Sequence, residues 1–369
     1  MKYLIKSLIL DVTDSLPGLA SIVCLGLILL AASQPGPAQS MHPEPHTGLV
    51  NTAGAVFNPV IGKGYIVDSA AGTVHVSNDR NGISRAVKVG ANPTSIAIDT
   101  ANGRAYVVNA GDGSVSVLDG HTDAVVVTLS VGAHPYSIAA DSAAGKIYVT
   151  RTYSDQLMVI DAVTNNVSGI KAGSPDLLAI NEKTHTVYLL SYEMGDLAIL
   201  DAATHSITHT SVGMHAWGMT LNPRTGALYV AKIGDGAVAV LAHGSIKPTF
   251  IPTGGIPCAI AVNPQTNTIY VADYAGNSIA VIDAARAKVV AAIPVGNRPE
   301  AVAVDAAHNR VYAANTLGHS ISVIDGNTDK AIATRPVISA PYALAADPAK
   351  RNLHVASLGQ SAFAQISGD

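Results

Sequence analysis

Apolar residues in this chain come in short runs, too brief for helices, separated by turn-forming residues. Residues 90–130 show the arrangement in full. A run at 95–98 ends on Asp99 and is followed by Thr100-Ala101-Asn102-Gly103. A second run at 104–109 leads into Ala110-Gly111-Asp112-Gly113. Residues 114–118 alternate polar and apolar and stop at Asp119-Gly120, and 124–129 make a fourth run. Four short strands joined by Gly, Asn and Asp turns predict an antiparallel meander.

The meander is written eight times. Tyr65, Tyr106, Tyr148, Tyr188, Tyr229, Tyr270 and Tyr312 mark the second strand, with His354 in the eighth place. Their spacing is 41, 42, 40, 41, 41, 42 and 42 residues. Thirteen positions upstream stand Pro93, Pro135, Pro175, Pro257, Pro299 and Pro341, with Thr52 and Ala216 in the other two units. A four-stranded unit repeated roughly every 40–45 residues is a propeller blade. The expected fold is all-β: a single β-propeller of four-stranded antiparallel blades over 47–369. Eight blades are predicted, with seven as the alternative if a terminal unit packs irregularly. The last unit lacks a fourth strand, and residues 47–51 precede the first complete unit. The N-terminal strand is therefore expected to complete the last blade, so that no open edge remains.

Composition narrows the function. A net charge of −4 and only 13% charged residues give no general nucleic-acid surface. Lys2 and Lys6 precede an apolar stretch at 16–32, followed by Gln34-Pro35-Gly36-Pro37-Ala38-Gln39-Ser40. A basic start, apolar middle and small-residue exit predict a signal peptide over 1–40, cleaved before Met41. An uncleaved anchor is the alternative, because such a run is long enough to span a bilayer; membrane attachment is expected only in that case. Residues 41–46 form a Pro-rich leader, in which His42 and His46 are not read as a metal site. The expected location is periplasmic, extracellular or at the cell surface. Beyond the leader the lone cysteine is Cys258, so no internal disulfide is available.

Tyr106-Val107-Val108-Asn109, Tyr148-Val149-Thr150-Arg151 and the Ser-Val-Ser-Val-Leu-Asp at 114–119 resemble the YVTN β-propeller repeat family. That family includes surface-layer-like and periplasmic propellers and has no agreed catalytic residues. The chain is similar, more distantly, to propellers that bind haem d1 or quinone cofactors and to seven-bladed lactonases. The resemblance implies a fold and names no active site.

What every unit shares is assigned to blade building. Asp99, Asp141, Asp305 and Asp347 end first strands, as do Asn58, Asn181, Asn222 and Asn263. Asp119, Asp161, Asp201, Asp283 and Asp325 end third strands, where Asp caps tight turns. Function is sought where units disagree, on the face holding the turns into the first strand and between the second and third. Beside the recurrent proline this ring offers His134, Tyr136, Asp176, His215, Trp217, Arg298, Glu300 and Tyr342. Three residues after the repeat tyrosine a second ring offers Asp68, Asn109, Arg151, Lys232, Asp273 and Asn315, with Tyr153, Tyr192, Glu193 and Tyr274 beyond it. Aromatics mixed with both charge signs suit a small polar molecule or a peptide or protein partner.

The leading expectation is an exported binding or scaffold module with a ligand site in the funnel on this face, and no catalytic or metal-binding residue. The alternatives are a metal-dependent lactonase-like or lyase-like enzyme, a noncovalent haem d1 or quinone oxidoreductase, and a cell-surface structural protein. No cofactor is expected. Without a Cys-x-x-Cys-His, covalent c-type haem is excluded. No Gly-rich phosphate loop or Gly-x-Ser-x-Gly occurs. His205 and His209 are about 13 Å apart along a strand, too far for one ion.

N-terminal sequencing of the exported protein is expected to read Met41-His42-Pro43; retention of Lys2 and Lys6 would establish the anchor instead.

Overall fold

The computed structural model describes residues 54–78, 83–357 and 364–367. Among them all regular structure is β, in antiparallel meanders whose strands follow chain order. Seven sheets have four strands: 55–88, 93–130, 135–171, 177–211, 216–252, 257–294 and 299–336, blades one to seven. This corrects the expectation of eight four-stranded blades to seven. The remaining sheet, at 341–367, has three strands, Pro341–Asp347, Asn352–Ser357 and Ala364–Ser367. The strand expected from 47–51, like the leader and signal segments, lies outside the described residues.

Strands of a blade are labelled a to d in order. Strands a of successive blades approach each other most closely, and the three-stranded sheet returns against blade one. Strands a therefore line the axis, and strands d form the rim, with burial falling from Pro93–Asp99 to the mostly exposed Ala124–Ser130.

The repeat tyrosine explains how the blades hold together. Pleating sends it to one face of strand b, toward the next blade. Tyr65 of blade one points at Gly120 of blade two, where an added Cβ would lie 3.2 Å from its hydroxyl. Tyr270 of blade six meets Gly326 of blade seven in the same way. Tyr106, Tyr148 and Tyr229 share core clusters with Ala162, Ala202 and Ala284. In all five cases the small residue follows the Asp that ends strand c of the next blade. Burial lifts the hydroxyls well above their ordinary range, Tyr148 and Tyr270 to about 12.

The recurrent acids and amides act in turns. Asp119 Oδ1 accepts the N–H groups of His121 (3.0 Å) and Thr122 (2.8 Å), and Asp161 and Asp201 repeat the arrangement. Lys146 and then the Thr164 N–H hold Asp161 below the usual carboxylate range; the Thr122 and Thr204 N–H groups do so for Asp119 and Asp201. Amides ending strand a tie neighbouring blades: Asn58 Nδ2 donates to Gly103 O (3.0 Å), and Asn222 and Asn263 reach Asn267 (2.8 Å) and Asn309 (2.7 Å).

The seam between the three-stranded sheet and blade one is built differently. His354 replaces the tyrosine, is fully buried, and stacks on Phe57 of blade one at 5.9 Å between ring centroids. Gly64 is its floor: a Cβ there would lie 2.8 Å from three atoms of the His354 ring. Other blades carry Ala105, Ile147 or Leu228 at that place. Gly64→Ala is accordingly expected to lower stability by about 1–3 kcal/mol through overpacking, measured by urea unfolding. An unchanged midpoint would show that the ring moves aside freely.

Candidate functional site

Strand b turns into strand c at the same end where each blade hands over to the next. The two connections are hydrogen-bonded there: Ala110 N–H donates to Asn92 O (3.0 Å), Thr152 to His134 (3.0 Å), Ile233 to His215 (3.1 Å) and Thr316 to Arg298 (2.9 Å). Both rings of candidate residues lie on this upper face.

At its start, strand a carries a bulge. Pro93 pairs with Asn109 and Ser95 with Val108, so Thr94 faces no residue on strand b. The same slip falls at Trp217, Cys258, Glu300 and Tyr342, and between Pro135 and Ile138 in blade three. A bulged residue is released from the ladder and its side chain is re-aimed. This explains why the position after the proline varies so freely. The sequence signal was the unchanging 13-residue proline-to-tyrosine distance; the bulge itself is a pairing property.

Around blades three to five the bulge residues converge. Tyr192, in the b–c turn of blade four, is the hub. Its ring meets Trp217 of blade five edge-on, 4.9 Å between centroids and 78° apart, and lies 6.0 Å from the His215 ring. Its N–H donates to Asp176 Oδ2 (2.9 Å). Tyr136 enters from blade three, packed against the core containing Leu177, Tyr188 and Ala216. Burial, then Asp176 and Tyr192, push its hydroxyl up to about 12. Four of the first-ring candidates, Tyr136, Asp176, His215 and Trp217, thus gather around a fifth residue from the turn. His134 stands beside them on blade three, its ring edge-on to Tyr153 at 5.6 Å.

The other first-ring residues lie elsewhere on the face. Arg298 of blade seven lies over the Tyr274 ring of blade six, 4.7 Å from its centroid, and bonds its hydroxyl. Tyr342 donates to Val67 O of blade one (3.0 Å), and burial followed by Asp68 lifts its pKa to about 12. Glu300 is 6% exposed. Burial raises its carboxyl to about 7, while a hydrogen bond with Thr316 and the Arg298 charge pull it down.

The second ring is tied up inside the blades. Asn109, fully buried, donates to Ser114 and Ser116 (both 2.9 Å) and accepts the Gly90 N–H (3.1 Å). Asn315 donates to Ser320 (3.1 Å) and Ser322 (3.0 Å). Asp273 accepts the N–H groups of Ile256 (2.8 Å) and Gly276 (3.0 Å), and Asp68 that of Ala71 (2.9 Å). Arg151 Nε donates to Ala133 O (3.0 Å). Lys232, 4% exposed, pairs with Asp235 and lies 4.7 Å from the Phe250 ring centroid. A glycine before strand a makes room for all of these but Asp68: a Cβ at Gly90 would fall 2.6 Å from Asn109, and one at Gly132 2.8 Å from Arg151. These side chains brace the turns.

Among the described residues, no three His, Cys, Asp or Glu side chains are grouped to hold a metal ion. His134 and His215 take left-handed backbone conformations (φ 56° and 57°), as do His185, His205 and His319 in ordinary turns. Histidine tolerates that region better than most residues, so part of the ring's histidine content reflects backbone geometry. His209 bonds Asp196 (2.8 Å). At the opposite end, a cleft of about 360 Å³ between blades six and seven is lined by Asn267, Asp283, Arg286 and Asp329, with Arg286 paired to Asp283.

The fold has solved counterparts. The chain is similar to the dihydro-heme d1 dehydrogenase NirN in complex with DHE at 14% identity and a TM-score of 0.72, covering 85% of this chain and 72% of that one. It is also similar to the hydrazine synthase of Kuenenia stuttgartiensis at 17% identity and a TM-score of 0.60, covering 79% and 99%. The chain is a β-propeller. At such identities the likeness extends to the fold alone. No family model and no curated protein matches the sequence.

Glu300 gives this face a pH signature. Its folded pKa lies above the ordinary 4.5, so its contribution to stability is complete below about pH 4.5 and is lost as pH rises through about 7. Wild type is expected to lose up to about 3 kcal/mol relative to Glu300→Gln across that window. Parallel stability curves from urea melts would show the carboxyl to be normally solvated.

Proposed function

We propose that this chain is an exported ligand-binding propeller whose site is the cluster of Tyr136, Asp176, Tyr192, His215 and Trp217. One observation carries the reading: side chains released by bulges and turns from three successive blades meet around Tyr192. A mostly apolar, aromatic site with a few converging polar groups is the usual build of a small-molecule site. Export rests on the basic, apolar and small-residue order of residues 1–40. Membership of the YVTN family rests on the strand b motif and the repeat length.

A second reading is an oxidoreductase holding a flat cofactor without covalent attachment. It is favoured by the likeness to a propeller described as a complex with DHE. The face of Trp217 alone would supply a stacking surface for such a group, and His215 an imidazole donor.

Native mass spectrometry of protein purified from its own host tests both. The binding reading expects a co-purifying small molecule, lost in Trp217→Ala while the thermal midpoint stays within about 2 °C, as befits a side chain outside the main core. Loss of folding in Trp217→Ala, or a wild-type protein that carries nothing, would overturn it. A bound species absorbing in the visible range would favour the oxidoreductase.

A further inference from the structure

We infer that the Tyr192 cluster takes an organic cation, an alkylammonium or quaternary ammonium group. This rests on the proposed binding site and specifies its ligand class. The ring faces of Tyr136, Tyr192 and Trp217 carry negative π density, which attracts a cation more strongly as water is excluded, and Trp is the strongest such partner. Tyr192 and Trp217 stand nearly perpendicular, 78° apart, so the pair forms a corner and not a flat stacking slot. A compact, rounded group fits a corner better than a planar one does. Asp176 is fixed beside the rings through the Tyr192 N–H, and Glu193 follows Tyr192 in the chain.

Three basic side chains of the flanking blades have partners of their own. Arg151 is folded back onto Ala133 O and the Met158 sulfur, and Lys232 pairs with Asp235. Lys171 lies near Asp155 at 3.5 Å.

Toward the same end, the chain already uses this recognition on itself. Lys232 Nζ lies 4.7 Å from the Phe250 centroid, and the Arg298 guanidinium carbon 4.7 Å from that of Tyr274. Among the described residues no cation of the protein lies over Trp217.

Trp217 is the only tryptophan in the chain, so intrinsic fluorescence reports on this site alone. The full-length protein is titrated with choline chloride and, separately, with 3,3-dimethylbutan-1-ol, its uncharged isostere. A saturable response to choline is expected, with the alcohol at least about tenfold weaker. Asp176→Asn, which keeps an oxygen for the Tyr192 N–H, should weaken choline by roughly tenfold and leave the alcohol unchanged. The wild-type comparison stands without the variant should that variant misfold. Equal responses to choline and the alcohol, or a stronger response to 2-naphthoate, would overturn the cation assignment while leaving a binding site in place. Silence with choline in protein that still carries a Trp217-dependent ligand would do the same.

Discussion

Packing of one phenol ring against one small residue is the contact on which this architecture depends. A blade is a hydrogen-bonded meander complete in itself, and its backbone ladder does not extend to its neighbours. Cohesion between blades must come from side chains. The strand b tyrosine supplies it by crossing the gap and ending on Gly120, Ala162, Ala202, Ala284 or Gly326 at the close of the next strand c. A larger residue at those places would push the blades apart, and a smaller ring would leave a cavity. Asn58, Asn222 and Asn263 add hydrogen bonds at the lower end, and the glycine-braced turns fix the upper one. With both ends held, only the bulge residues of strand a and a few turn side chains remain for recognition.

The division of labour follows from geometry. A bulge costs a ladder position but releases a side chain whose identity the blade does not specify. Thr94 and Cys258 use that freedom for packing and nearby bonds and Tyr342 for its bond to Val67, whereas Tyr136, Trp217 and their neighbours use it to converge. Convergence occurs where blade four departs most from the repeat, with Ser191-Tyr192-Glu193-Met194 in its b–c turn. There the position three after the tyrosine is Ser191, too short to brace the loop, and Tyr192 turns toward the blade five residues.

Sequence periodicity disclosed the strands, their order, the turn acids and the face on which unlike residues collect, because each has a strict local cause. The number of complete blades was less accessible. It depends on which strand closes the ring, and residues 47–51 carry no pairing partner in their own composition. The second ring looked functional through its variety, yet Asn109, Arg151, Lys232 and Asp273 all brace the same loop by different chemistry. A glycine 15 or 16 positions before six of the seven repeat tyrosines was the available sign, since Gly90, Gly132, Gly213 and Gly255 make room for these side chains. The histidines misled for another reason, their tolerance of left-handed turns. Tyr192 was visible only as a neighbour of the ring, because its importance lies in contacts with two other blades.

The seam at His354 sets the order of assembly. Every other contact described here joins residues within one blade or in adjacent ones, so loop closure between them is cheap and early. The bond from Tyr342 to Val67 spans 275 residues, and the stacking of His354 on Phe57 is more remote still. Blades can form in sequence as an open arc, as in other repeat arrays, but the arc becomes a ring in one late, long-range event. Unfolding should retrace that path, with the chain opening like a bracelet at its clasp before any single blade is lost.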